Sequence, residues 1–262
     1  MKLFIAKNKE KGDKKAFEVI KNKILVKPNS LIGFAVGKTT DGLYKLISKD
    51  IKKNKKTWSK LRLFQIDENL GFGPNNPLSF NSEIGRELKN LIKILPKKNI
   101  FLMDGTKDPK TTIADGSRFI KKNKGMDLII LGLGPEYDPH IAYNTTGKSG
   151  LNSKMRVVEL HLKIAAKLNH LIETCRGMSQ QKINAGKGTR PRAPTKGITL
   201  GIRDILNSKK ALLIAYGKDK TKSIKKAFSG KVDMKKASAS ALQLHKDLSV
   251  IVDKEAVSGL LW

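Results

Sequence analysis

The 262-residue sequence predicts an α/β fold, a doubly wound, mostly parallel sheet with helices on both faces. Short apolar runs alternate with longer segments of helical periodicity along almost the whole chain, the pattern of a parallel sheet joined by crossover helices. Hydrophobic residues make up 39% of the chain, and its 22 glycines bring the apolar content near the usual globular range of about 45–50%. This composition excludes a globally disordered chain.

Nine runs of four to six residues are predicted strands, because each is rich in aliphatic or aromatic residues. They are Lys2–Ala6, Leu31–Val36, Leu61–Ile66, Ile100–Met103, Leu128–Leu133, Arg156–Leu160, Ile198–Gly201, Ala211–Tyr216 and Leu248–Val252. Seven intervening segments repeat apolar residues at helical spacing and are predicted helices. They are Lys14–Leu25, Thr40–Lys52, Ser82–Leu95, Thr111–Lys122, His161–Thr174, Lys220–Phe228 and Ala237–His245. This order predicts a Rossmann-like three-layer sandwich.

The rhythm of strand and helix predicts a single domain over residues 1–262. Residues 161–196 are predicted to form a mobile flap or an insertion, because their second half collects Gly, Ser, Gln, Asn, Pro and basic residues. The one cysteine allows no intrachain disulfide, and the N-terminal apolar run is too short for a signal peptide or a membrane span. We therefore expect a cytoplasmic protein without membrane association.

Basic residues outnumber acidic ones by 53 to 23, which gives a net charge of +30. Only eight of the basic residues are arginine, the residue that specific recognition of bases and phosphates favours. The lysines occur in every part of the chain, so we interpret most of the charge as a solvated surface. A nucleic-acid partner stays open but is not favoured, since the basic runs contain no aromatic stacking motif.

Ligands of open α/β sheets bind beyond the carboxyl ends of the strands, so the loops after strands are the candidate sites. Gly37, Lys38 and Thr39 follow the second strand and open a helix, where backbone amides and a lysine attract phosphate. An ordinary helix cap is the alternative at this turn. Asp67 ends the third strand, where a carboxylate either transfers protons or simply terminates the strand.

The most apolar strand leads into a Gly- and Pro-rich loop in which Asp138 and His140 are two residues apart. An aspartate so close can orient and charge-stabilise an imidazole used in acid/base chemistry. The other three histidines lie in helical patterns, so His140 is the candidate. Lys220 follows another strand, in a turn from which its ammonium can reach a bound phosphate.

Six segments, in consistent order over about residues 30–256, resemble the glucosamine-6-phosphate deaminase (isomerase) family, whose relatives include the 6-phosphogluconolactonases. His140–Asn144 reads His-Ile-Ala-Tyr-Asn and is similar to the His-Ile-Ala-Phe-Asn of deaminases, where lactonases carry His-Thr-Ala-Ser. This favours the deaminase branch. The other similar segments are Gly33–Tyr44 (the phosphate loop), Phe64–Phe80 (Asp-Glu-Tyr, then Pro-x-Ser-Tyr), Asn99–Gly105, Ile198–Lys220 and Ala241–His245.

The resemblance implies conversion of glucosamine 6-phosphate to fructose 6-phosphate and ammonia, a step of amino sugar catabolism, without a metal or an organic cofactor. His140, oriented by Asp138, would open the pyranose ring, and Asp67 would move a proton between C2 and C1 of the open-chain sugar. The groups that would hold the phosphate belong to Gly37, Lys38, Thr39, Lys220 and Arg176.

The sequence departs from the family at one catalytic position. Where the family reads Asn-Glu-Pro-Gly, Asn144–Gly147 reads Asn-Thr-Thr-Gly, so the carboxylate that supports the ring-opening histidine is missing. The preceding loop is two residues longer and carries Glu136, which we expect to take over this support. The alternatives are slower ring opening or another substrate. Arg176 is matched to a phosphate-binding arginine, with Arg190 and Arg192 competing for that match.

Two other functions stay open at this level. One is hydrolysis of a sugar phosphate lactone, with His140 as the base toward water. The other is a sugar-phosphate-binding protein whose chemistry is weakened by Thr145. The expected partner is a phosphorylated amino sugar for the deaminase and a phosphorylated sugar for either alternative. The sequence leaves the oligomeric state open.

Overall fold

The computed structural model describes residues 1–179 and 194–259, with the backbone alone for residues 169 and 172–179. The strands in chain order are β1 (Lys2–Ala6), β2 (Leu31–Phe34), β3 (Arg62–Gln65), β4 (Asp67–Asn69), β5 (Ile100–Phe101), β6 (Leu128–Gly132), β7 (Arg156–Glu159), β8 (Lys196–Thr199), β9 (Ala211–Ala215) and β10 (Leu248–Asp253). The α-helices are α1 (Lys9–Val26), α2 (Asp41–Trp58), α3 (Phe80–Glu87), α4 (Lys89–Ile94), α5 (Pro109–Lys122), α6 (Leu162–Ser179), α7 (Ile202–Leu206) and α8 (Thr221–Phe228). Within the segment 161–196, residues 162–179 are helical, and residues 180–193 lie outside the described residues.

Seven parallel strands form the main sheet, in the order β1-β10-β9-β6-β2-β3-β5. Strands are added on one side from β2 to β3 and β5, and on the other side from β6 to β9 and β10. The direction of winding therefore reverses between β2 and β6, the position where doubly wound sheets bind ligands. The predicted α/β fold is confirmed.

A second, antiparallel sheet of three strands has the order β4-β8-β7. Two of the predicted strands, near Arg156–Leu160 and Ile198–Gly201, belong to this sheet and not to the parallel one. Residues of β7 alternate between half-buried and exposed, as in a strand with one solvated face, whereas buried parallel strands are continuously apolar. Strand β4 was not predicted, because Asp, Glu and Asn are depleted in strands.

Two predicted helices differ in detail. The segment Ser82–Leu95 is divided into α3 and α4 at Leu88, whose φ of −107° and ψ of 23° depart from helical values. The segment Ala237–His245 is a 3₁₀ helix over Ser238–Leu244. A short apolar run does not distinguish these two helix types from sequence.

Apolar side chains of the strands alternate between the two faces of the main sheet. In β6, Ile130 packs in the cluster with residues of α1 and α2, whereas Ile129 and Leu131 pack in the cluster with residues of α7 and α8. The side-chain period of two residues in a strand produces this alternation. Both faces are therefore covered by helices, which leaves the ends of the strands for a ligand.

A buried carboxylate fixes the two strands on either side of the winding reversal. Asp127 directly precedes β6 and accepts the N–H of Leu31, the first residue of β2, at 3.0 Å. Its charge is balanced by the ammonium groups of Lys27 and Lys209, at 2.7 and 2.8 Å. Because this anchor lies at the amino ends of both strands, the opposite ends are held in register.

Candidate active site

A cavity of about 210 Å³ opens at the carboxyl ends of β2 and β6. Three residues predicted from sequence, Thr39, Asp67 and His140, line it together. They come from three separate segments, each following a strand of the main sheet, as the topology of the sheet predicts. The remaining lining residues are Ala35, Val36, Thr40, Phe80, Gly132, Leu133, Gly134, Pro135, Ala142 and Tyr143.

The turn between β2 and α2 brings a helix N-terminus to the cavity. Gly37 has a φ of 128°, which favours glycine, and its carbonyl accepts both the N–H and the hydroxyl of Thr40 at 3.0 Å. Thr40 stands at the cap position of the 18-residue helix α2, but its hydroxyl donates to Gly37 instead of capping a helix amide. The helix dipole attracts an anion here, while the N–H of Gly42 in the first turn donates to Asp41 Oδ1 at 2.6 Å. Lys38 is exposed on the same turn.

Asp67 is a buried carboxyl group facing the cavity. It begins β4, just beyond the carboxyl end of β3, and is 7% exposed. Burial, with smaller contributions from the carboxylates of Glu68 and Glu83, raises its pKa to about 8. A carboxyl group that titrates near neutral pH can both take up and return a proton.

Glu68, the neighbour of Asp67, has its carboxylate saturated with hydrogen bonds. Burial raises its pKa, while the donors that surround it oppose this shift. These hydrogen bonds connect Glu68 to the start of α3 and to the segment that carries Asp67, and so hold the two segments together. The donors are Gln65 Nε2 (3.0 Å), Ser79 Oγ (2.8 Å) and the backbone N–H groups of Asn69 (2.8 Å), Phe80 (2.9 Å) and Asn81 (2.7 Å).

Glu83 is a third carboxylate near the cavity, and the sequence analysis missed it. It lies in the first turn of α3, and the N–H of Gly37 interacts with its carboxylate. Burial raises the pKa of Glu83, and its charge in turn raises the pKa of Asp67. No motif marks this residue, because its position depends on how α3 packs against the turn at Gly37.

His140 and Asp138 form a hydrogen-bonded pair beside Asp67. His140 Nδ1 lies 2.9 Å from Asp138 Oδ2, and Asp138 Oδ1 accepts the N–H of Thr146 at 2.8 Å. Burial raises the pKa of Asp138, but the hydrogen bonds from His140 and Thr146 outweigh it and leave this pKa below its usual value. An ionised Asp138 assigns the proton to Nδ1 of a neutral imidazole, so Nε2 is free to accept a proton.

A tight loop holds this pair in place. Gly134 donates its N–H to the carbonyl of His140 at 2.8 Å. A Cβ atom at Gly134 would lie 2.3 Å from the carbonyl oxygen of Asp138 and 2.6 Å from the amide nitrogen of His140. Only glycine therefore lets the loop fold back closely enough to place both side chains.

Lys220 supplies a desolvated cation at the same edge of the sheet. It follows β9, the neighbour of β6, and its side chain is 15% exposed. Burial lowers its pKa; Asp219 opposes this, and Lys167, from α6, adds to it. Two nearby ammonium groups with one carboxylate 3.7 Å from Lys220 Nζ make this region attractive to an anion. Lys167 was missed, because one lysine in a lysine-rich sequence carries no signal.

Glu136 is turned toward the protein surface. Its carboxylate lies 3.1 Å from the ammonium of Lys222 and is 45% exposed, and its carbonyl accepts Lys226 Nζ at 3.0 Å. The carboxylate of Glu136 is therefore paired with a surface lysine, and not with His140 as expected. A sequence cannot show which way a loop carboxylate points when lysines of another helix are within reach.

Thr145 stands where the family motif has its glutamate. It is buried, and its hydroxyl donates to the carbonyl of Glu159 at 3.4 Å. Among the described residues, Asp138 is the one carboxylate bonded to His140. Arg176 lies in α6, where the backbone alone is described, and Arg190 and Arg192 lie outside the described residues.

Two aromatic rings form a wall of the cavity beside Asp67. Phe80 and Tyr143 have ring centroids 5.5 Å apart, and the hydroxyl of Tyr143 donates to Asn69 Oδ1 at 2.9 Å. These rings exclude water from Asp67 on one side, which is consistent with its raised pKa. In the sequence, both residues were noted only as members of the segments that resemble the family, and not as parts of a cavity wall.

The described residues contain no group of three or more His, Cys, Asp and Glu side chains placed to bind a metal ion. Within the same residues, no helix combines the length and the apolar character needed to cross a membrane.

Comparison with known proteins identifies the family. The family model described as glucosamine-6-phosphate isomerases/6-phosphogluconolactonase matches residues 10–154. A glucosamine-6-phosphate deaminase of Clostridium botulinum is 34% identical over 261 residues, which are 99% of either chain. The chain belongs to this family. A glucosamine-6-phosphate deaminase of a Thermoanaerobacter species is 33% identical over 98% of this chain and 94% of its own.

Solved structures share the fold of this family member. A monomeric glucosamine-6-phosphate deaminase superposes with a TM-score of 0.84 at 24% identity, over 98% of this chain and 99% of the other. The 6-phosphogluconolactonase of Trypanosoma cruzi superposes with a TM-score of 0.73 at 18% identity, over 100% and 97%. Both branches of the family therefore have the architecture described above.

Removing the charge of Glu83 tests the electrostatics of the site. With carboxyl-labelled aspartate, NMR titration should give Asp67 a pKa of about 8, its signal being assigned by its loss in Asp67→Asn. In Glu83→Gln the pKa of Asp67 should fall, because a nearby negative charge has been removed. Glu87→Gln, on the same helix, is the matched control and should leave the titration unchanged. Equal titration curves in all three proteins would contradict this description.

Proposed function

We propose that this family member converts glucosamine 6-phosphate and water to fructose 6-phosphate and ammonia. The observation that carries the proposal is that one cavity brings together a carboxyl group titrating near neutral pH, Asp67, and an Asp138–His140 pair. The anion-attracting start of α2 lies at the same cavity. The deaminase relatives at 33–34% identity support the same substrate.

Ring opening is assigned to His140. Its free Nε2 takes the proton of the C1 hydroxyl while the bond between C1 and the ring oxygen breaks, and the proton is then delivered to that oxygen. During the step the imidazole is positively charged, and the ionised Asp138 at 2.9 Å stabilises it. Because Thr145 carries no charge, Asp138 supplies this stabilisation without a second carboxylate.

Isomerisation and deamination are assigned to Asp67. Its carboxylate removes the proton from C2 of the open-chain amino aldehyde while O1 gains a proton, which gives an enolamine. The acid form of Asp67 then returns its proton to C1, and the amino nitrogen gives up one proton, which leaves an imine at C2. Water then adds to C2, ammonia leaves, and the ketone of fructose 6-phosphate remains. A pKa of about 8 suits a group that must be a base first and an acid second.

The phosphate is assigned to groups on segments other than the one that carries the base. The N-terminus of α2 with Lys38 and Thr39 forms one half of the phosphate site, and Lys220 with Lys167 forms the other. Gly37 shapes the turn, since its own N–H is directed to Glu83. Arg176 is kept as a further ligand on the strength of the motif alone.

A turnover assay tests the proposed function. Purified protein incubated with glucosamine 6-phosphate should release ammonia and form fructose 6-phosphate in equal amounts. The lactonase alternative, with His140 as base toward water, predicts loss of 6-phosphogluconolactone instead. A protein that binds sugar phosphates without turnover predicts thermal stabilisation by the ligand alone.

Asp67→Asn should lower kcat for ammonia release by about 10²–10⁴-fold, because the group that moves the C2 proton is lost. The KM for glucosamine 6-phosphate should change little, since the amide that replaces the carboxyl group has nearly the same shape and would preserve the cavity wall. Full activity of this variant, measured on protein with an unchanged circular dichroism spectrum, would refute the assignment.

Glu136→Gln and Asp138→Asn separate the two carboxylates of the catalytic loop. The first variant should keep kcat within about twofold, because Glu136 is ion-paired with Lys222 at the surface. The second should lower kcat by about 10²-fold, because the imidazole loses its partner. A large loss in Glu136→Gln would instead support the expectation drawn from the enlarged loop, and would show that Glu136 turns inward during turnover.

A further inference from the structure

Four side chains outside the cavity form a compact cluster that joins three segments, and we call it the Asp13 cluster. Lys9 Nζ lies 2.7 Å from Asp13 Oδ2 and 3.0 Å from Asp41 Oδ1, and 5.4 Å from the centre of the Tyr216 ring. Lys9 and Asp13 belong to the first turns of α1, Asp41 begins α2, and Tyr216 directly follows β9. All of these positions are at the edge of the sheet where the cavity opens.

Asp13 is the centre of this cluster and is 4% exposed. The hydroxyl of Tyr216 faces its carboxylate. Within the described residues, neither this hydroxyl nor Asp13 Oδ1 has a hydrogen-bond partner, so Tyr216 adjoins Asp13 by packing and not through a hydrogen bond. Burial raises the pKa of Asp13, and the ammonium of Lys9 opposes this shift. The buried carboxylate of Asp13 therefore depends on Lys9 to balance its charge.

Two glycines give the Asp13 cluster its tight fit. A Cβ atom at Gly42 would lie 2.1 Å from Asp13 Oδ2, and one at Gly12 would lie 2.4 Å from Tyr216 Cε1. Contacts this short leave no room for a side chain at either position. The start of α2 and the end of β9 are therefore packed directly against the first turns of α1.

Each attached segment leads into one half of the phosphate site. Asp41 and Gly42 directly follow the turn Gly37–Thr40. Tyr216 precedes Lys220 by four residues, through Gly217, whose N–H is held by Asp253 Oδ1 at 3.0 Å. The spacing between the two halves is thus set through Asp13, although Asp13 itself does not line the cavity.

We propose that Asp13 is a positioning residue, which through Lys9 and Tyr216 holds the start of α2 and Lys220 at the spacing that one phosphate group requires. The proposal rests on the proposed function for the location of the phosphate. Loosening the cluster weakens the binding of phosphate but leaves Asp67 and His140 in place, because these lie on other loops. Small displacements of binding groups are costly, since their hydrogen bonds to an anion are directional.

The chain provides a matched control at the other end of the same two helices. Lys21 of α1 and Asp50 of α2 form an ion pair of 2.8 Å, and Asp50 also accepts Trp58 Nε1 at 2.8 Å. This pair fastens α1 to α2 more than one helical turn away from the Asp13 cluster. If Asp13 only fastened α1 to α2, replacing Asp50 should have the same effect as replacing Asp13.

The experiment compares Asp13→Asn, Lys9→Gln and Asp50→Asn with the wild-type chain. The Kd of inorganic phosphate is measured by calorimetry, together with KM and kcat for ammonia release. Asp13→Asn and Lys9→Gln should raise both Kd and KM by about 3- to 10-fold, a loss of up to about 1.4 kcal/mol, with kcat within about twofold. Asp50→Asn should lower the midpoint of urea unfolding and leave Kd, KM and kcat within about twofold.

The proposal is overturned if kcat falls while Kd and KM stay unchanged, if Asp50→Asn raises Kd equally, or if the wild-type chain binds no phosphate. Lys9→Gln removes a partly exposed ammonium that joins Asp13 to Asp41, so it decides the matter should Asp13→Asn fail to fold. If the wild-type chain binds phosphate but releases no ammonia, the proposed function fails, and the Kd values alone test the positioning by Asp13.

Discussion

The pKa of Asp67 is raised because its carboxyl group is buried near two further carboxylates, at the wall of a cavity that must still admit a charged sugar. The rings of Phe80 and Tyr143 cover one side of it, and the carboxylate of Glu68 next to it is fully occupied by five protein donors. Because Glu68 is fixed in this way, Asp67 is left as the group that faces the cavity. The raised pKa of Asp67 thus follows from the packing of α3 against the end of β3.

The topology places the proposed acid/base residues and the anion-attracting groups on different segments of the chain. Asp67 and the Asp138–His140 pair follow β3 and β6, whereas the anion-attracting groups belong to the start of α2 and the turn after β9. All of these loops meet at one edge because the strands are parallel, and Asp127 pins β2 and β6 at the opposite edge. The net charge of +30 fits this division: a few cations belong to the proposed phosphate site, and the other lysines can attract anionic substrates at low salt.

The sequence predicts the fold and the groups at the ends of the strands, because both depend on local patterns. Apolar runs mark the strands of the main sheet, and a carboxylate or histidine in the segment that follows such a run, such as Asp67 or His140, lies at the ligand-binding edge. Contacts between elements could not be predicted in the same way. The approach of Glu83 to Gly37, and the ion pair of Glu136 with Lys222, depend on how helices rotate and pack. Strand β4 was missed because hydrogen bonds and burial override the weak strand preference of its polar residues.

The pH dependence of kcat/KM for ammonia release tests most directly whether a buried Asp67 is the base. Its carboxylate must be ionised to remove the C2 proton, so kcat/KM should rise with pH through about 8, above the second ionisation of a phosphate ester at about 6. In Glu83→Gln the rise should move to lower pH, a shift that titrating groups of the substrate cannot produce. A rise at pH 4–5, the ordinary range of a carboxyl group at about 3.9–4.3, or a profile unchanged in Glu83→Gln, would contradict the assignment.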